Sequence, residues 1–258
     1  MTKVSKSLRF LLMATASACL LAACGGSDDD SLDDRVDVAD PKVRFVHAVP
    51  GAPNVTLQRN GAAESGATDV AYKYASQYYD VATENYTFSL RTATGNVELA
   101  TTNFSADRGN KFTVIALPAA SGAELLTIRD PYNKSLTSDD ARVRVLNAAV
   151  NAEPFDVYIT DASVDLTTAT PRLANLGFKQ VLPSSGNDSV EIAPAAYRLR
   201  LTPAGSKTPF FDATVTAPVD GDWLLVALPE EALTPNSVRV LLVRSDDTGD
   251  ATDELVSP

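Results

Sequence analysis

One histidine and two cysteines leave this chain of 258 residues few parts for chemistry. His47 stands alone, so a multi-histidine zinc site and a histidine-dependent hydrolytic triad both lack their components. Cys19 and Cys24 fall within the first twenty-four residues, which leaves the body without a thiol nucleophile or a disulfide. No glycine-rich phosphate loop or dinucleotide fingerprint occurs. A pair of carboxylates could hydrolyse a glycoside, yet no spacing singles out two of them. The run Asp246 to Glu254 alternates aspartates with one glycine but lacks the ligand order of a calcium loop, and Asp28 to Asp34 lacks a glycine-hinged spacing. No catalytic residue, metal site or cofactor is assigned. Tyrosines offer an apolar ring with a polar tip, so Tyr72, Tyr74, Tyr78 and Tyr79 are the candidates for recognition of a protein or a sugar. Tyr72 and Tyr74 share a face with Val70 and read as core. Tyr78 and Tyr79 point to opposite sides of any strand and are the candidate exposed contacts, at most one of them outward.

The N-terminus determines where such a chain goes. Lys3, Lys6 and Arg9 precede an apolar run from Phe10 to Leu21, too short to span a bilayer, and Leu21-Ala22-Ala23 supplies small residues for cleavage. These features make residues 1–23 a secretory signal. Leu21-Ala22-Ala23-Cys24-Gly25 resembles the lipobox of bacterial lipoproteins. The resemblance implies that Cys24 is diacylglyceryl-modified, that the signal is cut before it, and that the new amine is acylated. Gly25, rather than aspartate, after the cysteine resembles the outer-membrane lipoproteins of enteric bacteria. Removing residues 1–23, with three basic and no acidic residues, takes the formal charge from −11 to −14. So acidic a body repels nucleic acid and anionic headgroups, leaving the N-terminal lipid as the route to the membrane. Residues 24–41 begin with glycines and clustered aspartates and read as a disordered acidic tether, reaching about 55–60 Å if fully extended.

The remaining chain contains a repeat. Val43-Arg44-Phe45-Val46-His47-Ala48 returns as Val143-Arg144-Val145-Leu146-Asn147-Ala148. Phe112 to Pro118 matches Trp223 to Pro229, and Leu126-Thr127-Ile128-Arg129 matches Leu241-Leu242-Val243-Arg244. Landmarks in one order twice indicate tandem duplication. Tyr86, Phe88 and Leu90 alternate with polar residues, as do Tyr197, Leu199 and Leu201, which is the period of half-buried strands. The runs from Phe112 to Leu117 and Leu224 to Leu228 are apolar almost throughout, as strands covered on both faces would be. Turn-forming clusters at short intervals and no long amphipathic helix predict an all-β chain of two tandem immunoglobulin-like β-sandwiches, with a barrel as the alternative. The expected boundaries are 42–130 and 142–246, joined by a polar linker at 131–141 and followed by a frayed acidic tail at 247–258. Each sandwich is expected to fold alone.

Several residues are candidate structural locks. Tyr86 and Tyr197 follow Val81 and Ile192 past a turn, a spacing that suits an inward ring whose hydroxyl bonds back to that turn. Arg44 and Arg144 sit among apolar residues of the opening strands. An edge or outer-face charge is the simpler placement, and an ion pair with a carboxylate of the same domain is the sharper one. Asn147 stands where the first copy has His47, and it can match the hydrogen bonds but not proton transfer near neutrality, so His47 reads as structural.

These landmarks resemble the bacterial domain-of-unknown-function 4397 family, across 43–130 and 143–245. The second copy departs from its pattern at Asn147 and around Asp161 to Pro171. The resemblance implies an exported, often lipid-anchored protein with sandwich-like domains and no established activity. The reading is thus a non-enzymatic, lipid-anchored cell-envelope protein that presents two modules to an envelope protein or a glycan. A carrier of a small apolar ligand is the alternative, and a carboxylate-dependent hydrolase the third.

Overall fold

A computed structural model describes residues 38–132, 134–230, 234–244 and 252–257; the signal sequence, Cys24 and the tether up to residue 37 lie outside it. The first sandwich comprises β1 (Lys42–His47), β2 (Val55–Arg59), β3 (Ala62–Ala63), β4 (Tyr79–Asp80), β5 (Asn85–Thr92), β6 (Glu98–Ser105), β7 (Asn110–Ala119) and β8 (Gly122–Pro131). Its sheets run β4-β1-β7-β8 and β3-β2-β5-β6. The second comprises β9 (Ala141–Asn147), β10 (Phe155–Thr160), β11 (Leu173–Leu176), β12 (Val181–Leu182), β13 (Val190–Ile192), β14 (Ala196–Pro203), β15 (Phe211–Thr216), β16 (Asp222–Pro229), β17 (Val238–Arg244) and β18 (Thr252–Leu255). Its sheets run β11-β10-β14-β15 and β12-β9-β16-β17-β18, with β13 also paired to β9. The described residues are therefore all-β, two sandwiches in succession. One pairing departs from antiparallel in each half: β1 runs parallel to β7, and β9 parallel to β16.

Period-2 alternation sends side chains of one strand to different places. From β7, Phe112, Val114 and Ala116 enter the first core with Val43, Phe45, Tyr86, Phe88 and Leu90. From β16, Trp223, Leu225 and Ala227 enter the second core with Val143, Leu199, Leu201 and Phe211. The intervening residues do not meet water. Ile115 and Leu117 pack with Val226 and Leu228 in a third core, a seam where β1-β7-β8 lies face to face with β9-β16-β17. The runs Phe112 to Leu117 of β7 and Trp223 to Leu228 of β16 are apolar apart from Thr113 because each is sandwiched twice.

The structure bears on four of these expectations. Residues 131–141 are not a loose polar linker, because Tyr132 and Lys134 are buried within them. The tail is not frayed throughout, since Thr252–Leu255 extends the sheet as β18 on β17. There Glu254 binds Lys73 of the first sandwich at 2.9 Å and Arg239 at 2.8 Å. The expectation of independent folding took in the two separate cores but not the seam, whose apolar face either half would expose alone. The chain start is also held earlier than a tether ending at residue 41: the Gly109 amide donates to Ala39 O at 3.0 Å, and Asp40 pairs with Arg108 at 2.9 Å.

Candidate functional site

The polar residues that the fold gathers most tightly lie in the seam. Toward the end where the chain enters, seam-facing positions of the strands turn from apolar to charged: Arg44 on β1, Lys111 on β7, Asp130 on β8, Arg142 and Arg144 on β9, and Asp222 on β16. All six are buried, none more than 8% exposed. Asp130 accepts from Arg142 Nη2 at 2.7 Å and from Arg144 Nη2 and Nε at 2.9 and 3.2 Å, and Ser189 Oγ lies 3.1 Å away. Asp222 lies 3.4 Å from Lys111 Nζ and 3.7 Å from Arg142 Nη1. Both carboxylates thus bridge the halves.

Four cations face two carboxylates here, and other groups take up the excess. Arg142 also donates to Pro131 O at 2.7 Å, and Arg144 donates to the carbonyls of Pro183, Ser184 and Asn187. Arg44 donates to Thr113 Oγ1 at 3.0 Å and to Arg244 O of the other half at 3.3 Å. Ring faces do the rest: Lys111 and Arg142 lie 4.1 and 4.6 Å from the Tyr132 centroid, and Arg44 lies 4.5 Å from that of Tyr78. Burial alone would raise the Asp222 carboxyl, but Arg142, Lys111 and Arg44 hold it below the usual carboxylate range. It stays ionised at neutral pH. A buried cluster whose cations are met by carboxylates, carbonyls and ring faces drawn from both halves locks two bodies together.

Arg44 and Arg144 therefore fit neither of the placements considered for them in full. Their face is the outer one of each sandwich, yet it is covered by the other sandwich, and Arg144 pairs with a carboxylate of the opposite half. Tyr78 and Tyr79 are corrected too. The Tyr78 hydroxyl is 3.2 Å from Thr113 Oγ1 in the seam, and burial pushes it up to about 12. Tyr79 packs on the first core beneath Arg59, its hydroxyl likewise raised by burial. The two do point opposite ways, but neither reaches solvent as an anchor. Tyr72 and Tyr74 do not share a face: Tyr72 packs on the seam and Tyr74 on the first core. Lys73 between them adopts a left-handed φ of 74°, which resets the alternation.

Tyr86 is buried and its hydroxyl donates to Ala82 O at 3.0 Å; Tyr197 is half-buried and donates to Ala193 O at 2.8 Å. His47 and Asn147 are fully buried and do one job. His47 Nδ1 accepts from the Val49 amide at 3.3 Å, and Asn147 Oδ1 accepts from the Ala149 amide at 3.0 Å. Asparagine adds a bond from Nδ2 to Leu176 O. Burial lowers the His47 pKa from 6.5 to about 4, with the Pro53 carbonyl opposing weakly. The folded state therefore takes up its proton less readily than the unfolded chain. The stability from neutral His47 is complete above pH ~6.5 and is lost as pH falls toward ~4, by roughly 3 kcal/mol in all. His47→Asn is expected to change stability at neutral pH by less than about 1 kcal/mol and to flatten this acid limb. Urea melts at pH 7.5, 5.5 and 4.5 measure both, and an unchanged acid limb would contradict the assignment.

The surface of the described residues includes open grooves. One, about 640 Å³, is lined by Asp40, Arg59, Asp80, Glu84 and Tyr86 among others; the second, about 590 Å³, by Arg198, Asp212 and Glu254 among others. Among the described residues no group of three or more histidines, cysteines or carboxylates could hold a metal ion. Sequence reasoning missed Lys111, Asp130, Asp222 and Tyr132. A signal existed for two of them: Lys111 and Asp222 stand at the same step directly before the matched runs Phe112 to Pro118 and Trp223 to Pro229.

Residues 41–158 match the model of a family described as "Domain of unknown function (DUF4397)". The match supports the resemblance carried by Val43 to Ala48. It is one stretch that passes through 131–141 and ends within β10. No curated protein matches the chain. Among solved structures, one concerning alpha-glucan recognition by family 41 carbohydrate-binding modules from streptococcal virulence factors matches at 13% identity. It covers 72% of this chain and 93% of that one, with a TM-score of 0.24, too low to say what this chain binds.

Proposed function

We propose that this chain is a non-enzymatic, lipid-anchored cell-envelope protein of the DUF4397 family, built by duplication, whose two sandwiches act as one rigid body. It presents the loop end of that body to an envelope protein or a glycan. The observation that carries the reading is direction. The chain enters at the base, where Val81 N bonds to Pro41 O at 2.8 Å, and β1, β7, β9 and β16 all run away from it. The connections at 48–54, 148–154 and 177–180 and the β7–β8 turn therefore gather at the far end. Lys179–Glu124, at 2.8 Å, ties the two halves together there. Exposed positions on this end are mostly uncharged, including Pro53, Asn54, Ser121, Val150 and Phe178, in an otherwise acidic protein. Such a surface suits a partner held by shape and hydrogen bonds rather than by charge. Trp223, which a ligand cavity would have used, packs in the second core, favouring display over carriage of an apolar ligand.

In this reading the lipid on Cys24 tethers the molecule from its base, so the far end is the one turned away from the anchor. Cys24→Ala is expected to yield uncleaved precursor without lipid, read by intact mass. A variant cut at the same bond and still lipid-labelled would remove the anchor from this reading. Capture of partners from solubilised envelopes should then fall with Phe178→Ser plus Val150→Ser and be unaffected by Glu84→Gln at the base.

A further inference from the structure

The seam brings together the same positions of the two halves. By strand register Val46 corresponds to Leu146, Ile115 to Val226 and Ile128 to Val243, and all six lie in the seam core. One patch meets its own counterpart, the arrangement of a two-fold symmetric dimer within a single chain. In such a contact, a residue that touches its own counterpart lies on the two-fold axis. Lys111 and Asp222 are counterparts, the register partners of Lys42 and Arg142 at the same step of each sheet, and they touch at 3.4 Å. The axis position is thus occupied by opposite charges.

We propose that Lys111 and Asp222 make the seam selective for unlike halves: the first sandwich accepts the second and refuses a copy of itself. Pairing of two first sandwiches would set Lys111 against Lys111 in a site out of reach of water, and pairing of two second ones would set Asp222 against Asp222. Like charges there are strongly disfavoured. Asp130 adds to the asymmetry. It comes from β8 of the first half and satisfies Arg142 and Arg144 of the second, so two second halves would bury those arginines without it. The partner that each seam face fits is the unlike half, and the intact chain closes on itself instead of assembling with other copies.

The test uses the full chain with a protease site inserted in the exposed turn at 135–137, cleaved after folding. Light and isotope-labelled nicked proteins are mixed and read by native mass spectrometry. Exchanged particles are expected to contain one first and one second half, with like pairs below about a tenth of unlike ones. Asp222→Asn should weaken the hold between nicked halves at least tenfold, and Asp222→Lys should release them at micromolar concentration. Should Asp222→Lys not fold, Asp222→Asn and Lys111→Met carry the comparison by the same dissociation readout. Like pairs as frequent as unlike ones, or an Asp222 variant that holds as tightly as the parent, would overturn the proposal.

Discussion

Asp130→Asn is expected to cost about 3–5 kcal/mol, because it leaves Arg142 and Arg144 buried without their shared carboxylate. The side chain keeps its shape, so the loss reports charge and not packing. Denaturant melts of the full chain measure it, and the comparison is Glu98→Gln. That change removes an exposed partner of Arg91 and should cost no more than about 1 kcal/mol. Equal effects at the two sites would mean that the seam cluster is as well hydrated as the surface pair. The size of the loss does not make the cluster a net source of stability. Apolar residues of matching volume across the whole cluster could be as stable, since each buried ion also carries a desolvation cost. What the ions add is orientation, because the bonds of Asp130 to Arg142 and Arg144 and the Lys111–Asp222 pair all require one placement of the two sheets.

Tyr86→Ala should cost about 3–5 kcal/mol, the range for deleting a large buried aromatic. Its ring packs in the first core beside Phe88, with centroids 6.0 Å apart, and Arg59 lies 5.2 Å above it. Tyr86→Phe keeps the ring and removes the bond to Ala82 O, so about 0.5–1.5 kcal/mol is expected. Tyr197 makes the corresponding bond from a half-buried position, and Tyr197→Ala should cost roughly half as much as Tyr86→Ala, in proportion to the apolar area removed from water. Thermal or urea melts order the three variants. A Tyr86→Phe loss as large as that of Tyr86→Ala would mean that the hydroxyl, not the ring, holds this corner.

Local pattern carried a large part of the fold. Alternation in Tyr86 to Leu90 and Tyr197 to Leu201 marked half-buried strands, because side chains on a strand point to opposite sides by geometry alone. The interchange of His47 and Asn147 was legible as structural because both offer an acceptor that can reach the amide two residues on. The strand at Thr252–Leu255 was not legible: three of its four residues are polar, and an edge strand is held by main-chain bonds to β17 that side chains do not announce. Period 2 also tells which residues share a face without telling what lies beyond it. Arg44 and Arg144 were correctly placed opposite their own cores, yet only the packing of one sandwich on the other decided that this outer face is dry. For the same reason Asp130, Asp222 and Lys111, ordinary surface residues by type, became buried partners of one another. Their environment is set by contacts between residues more than a hundred positions apart in the Lys111–Asp222 pair, a distance that no local pattern spans.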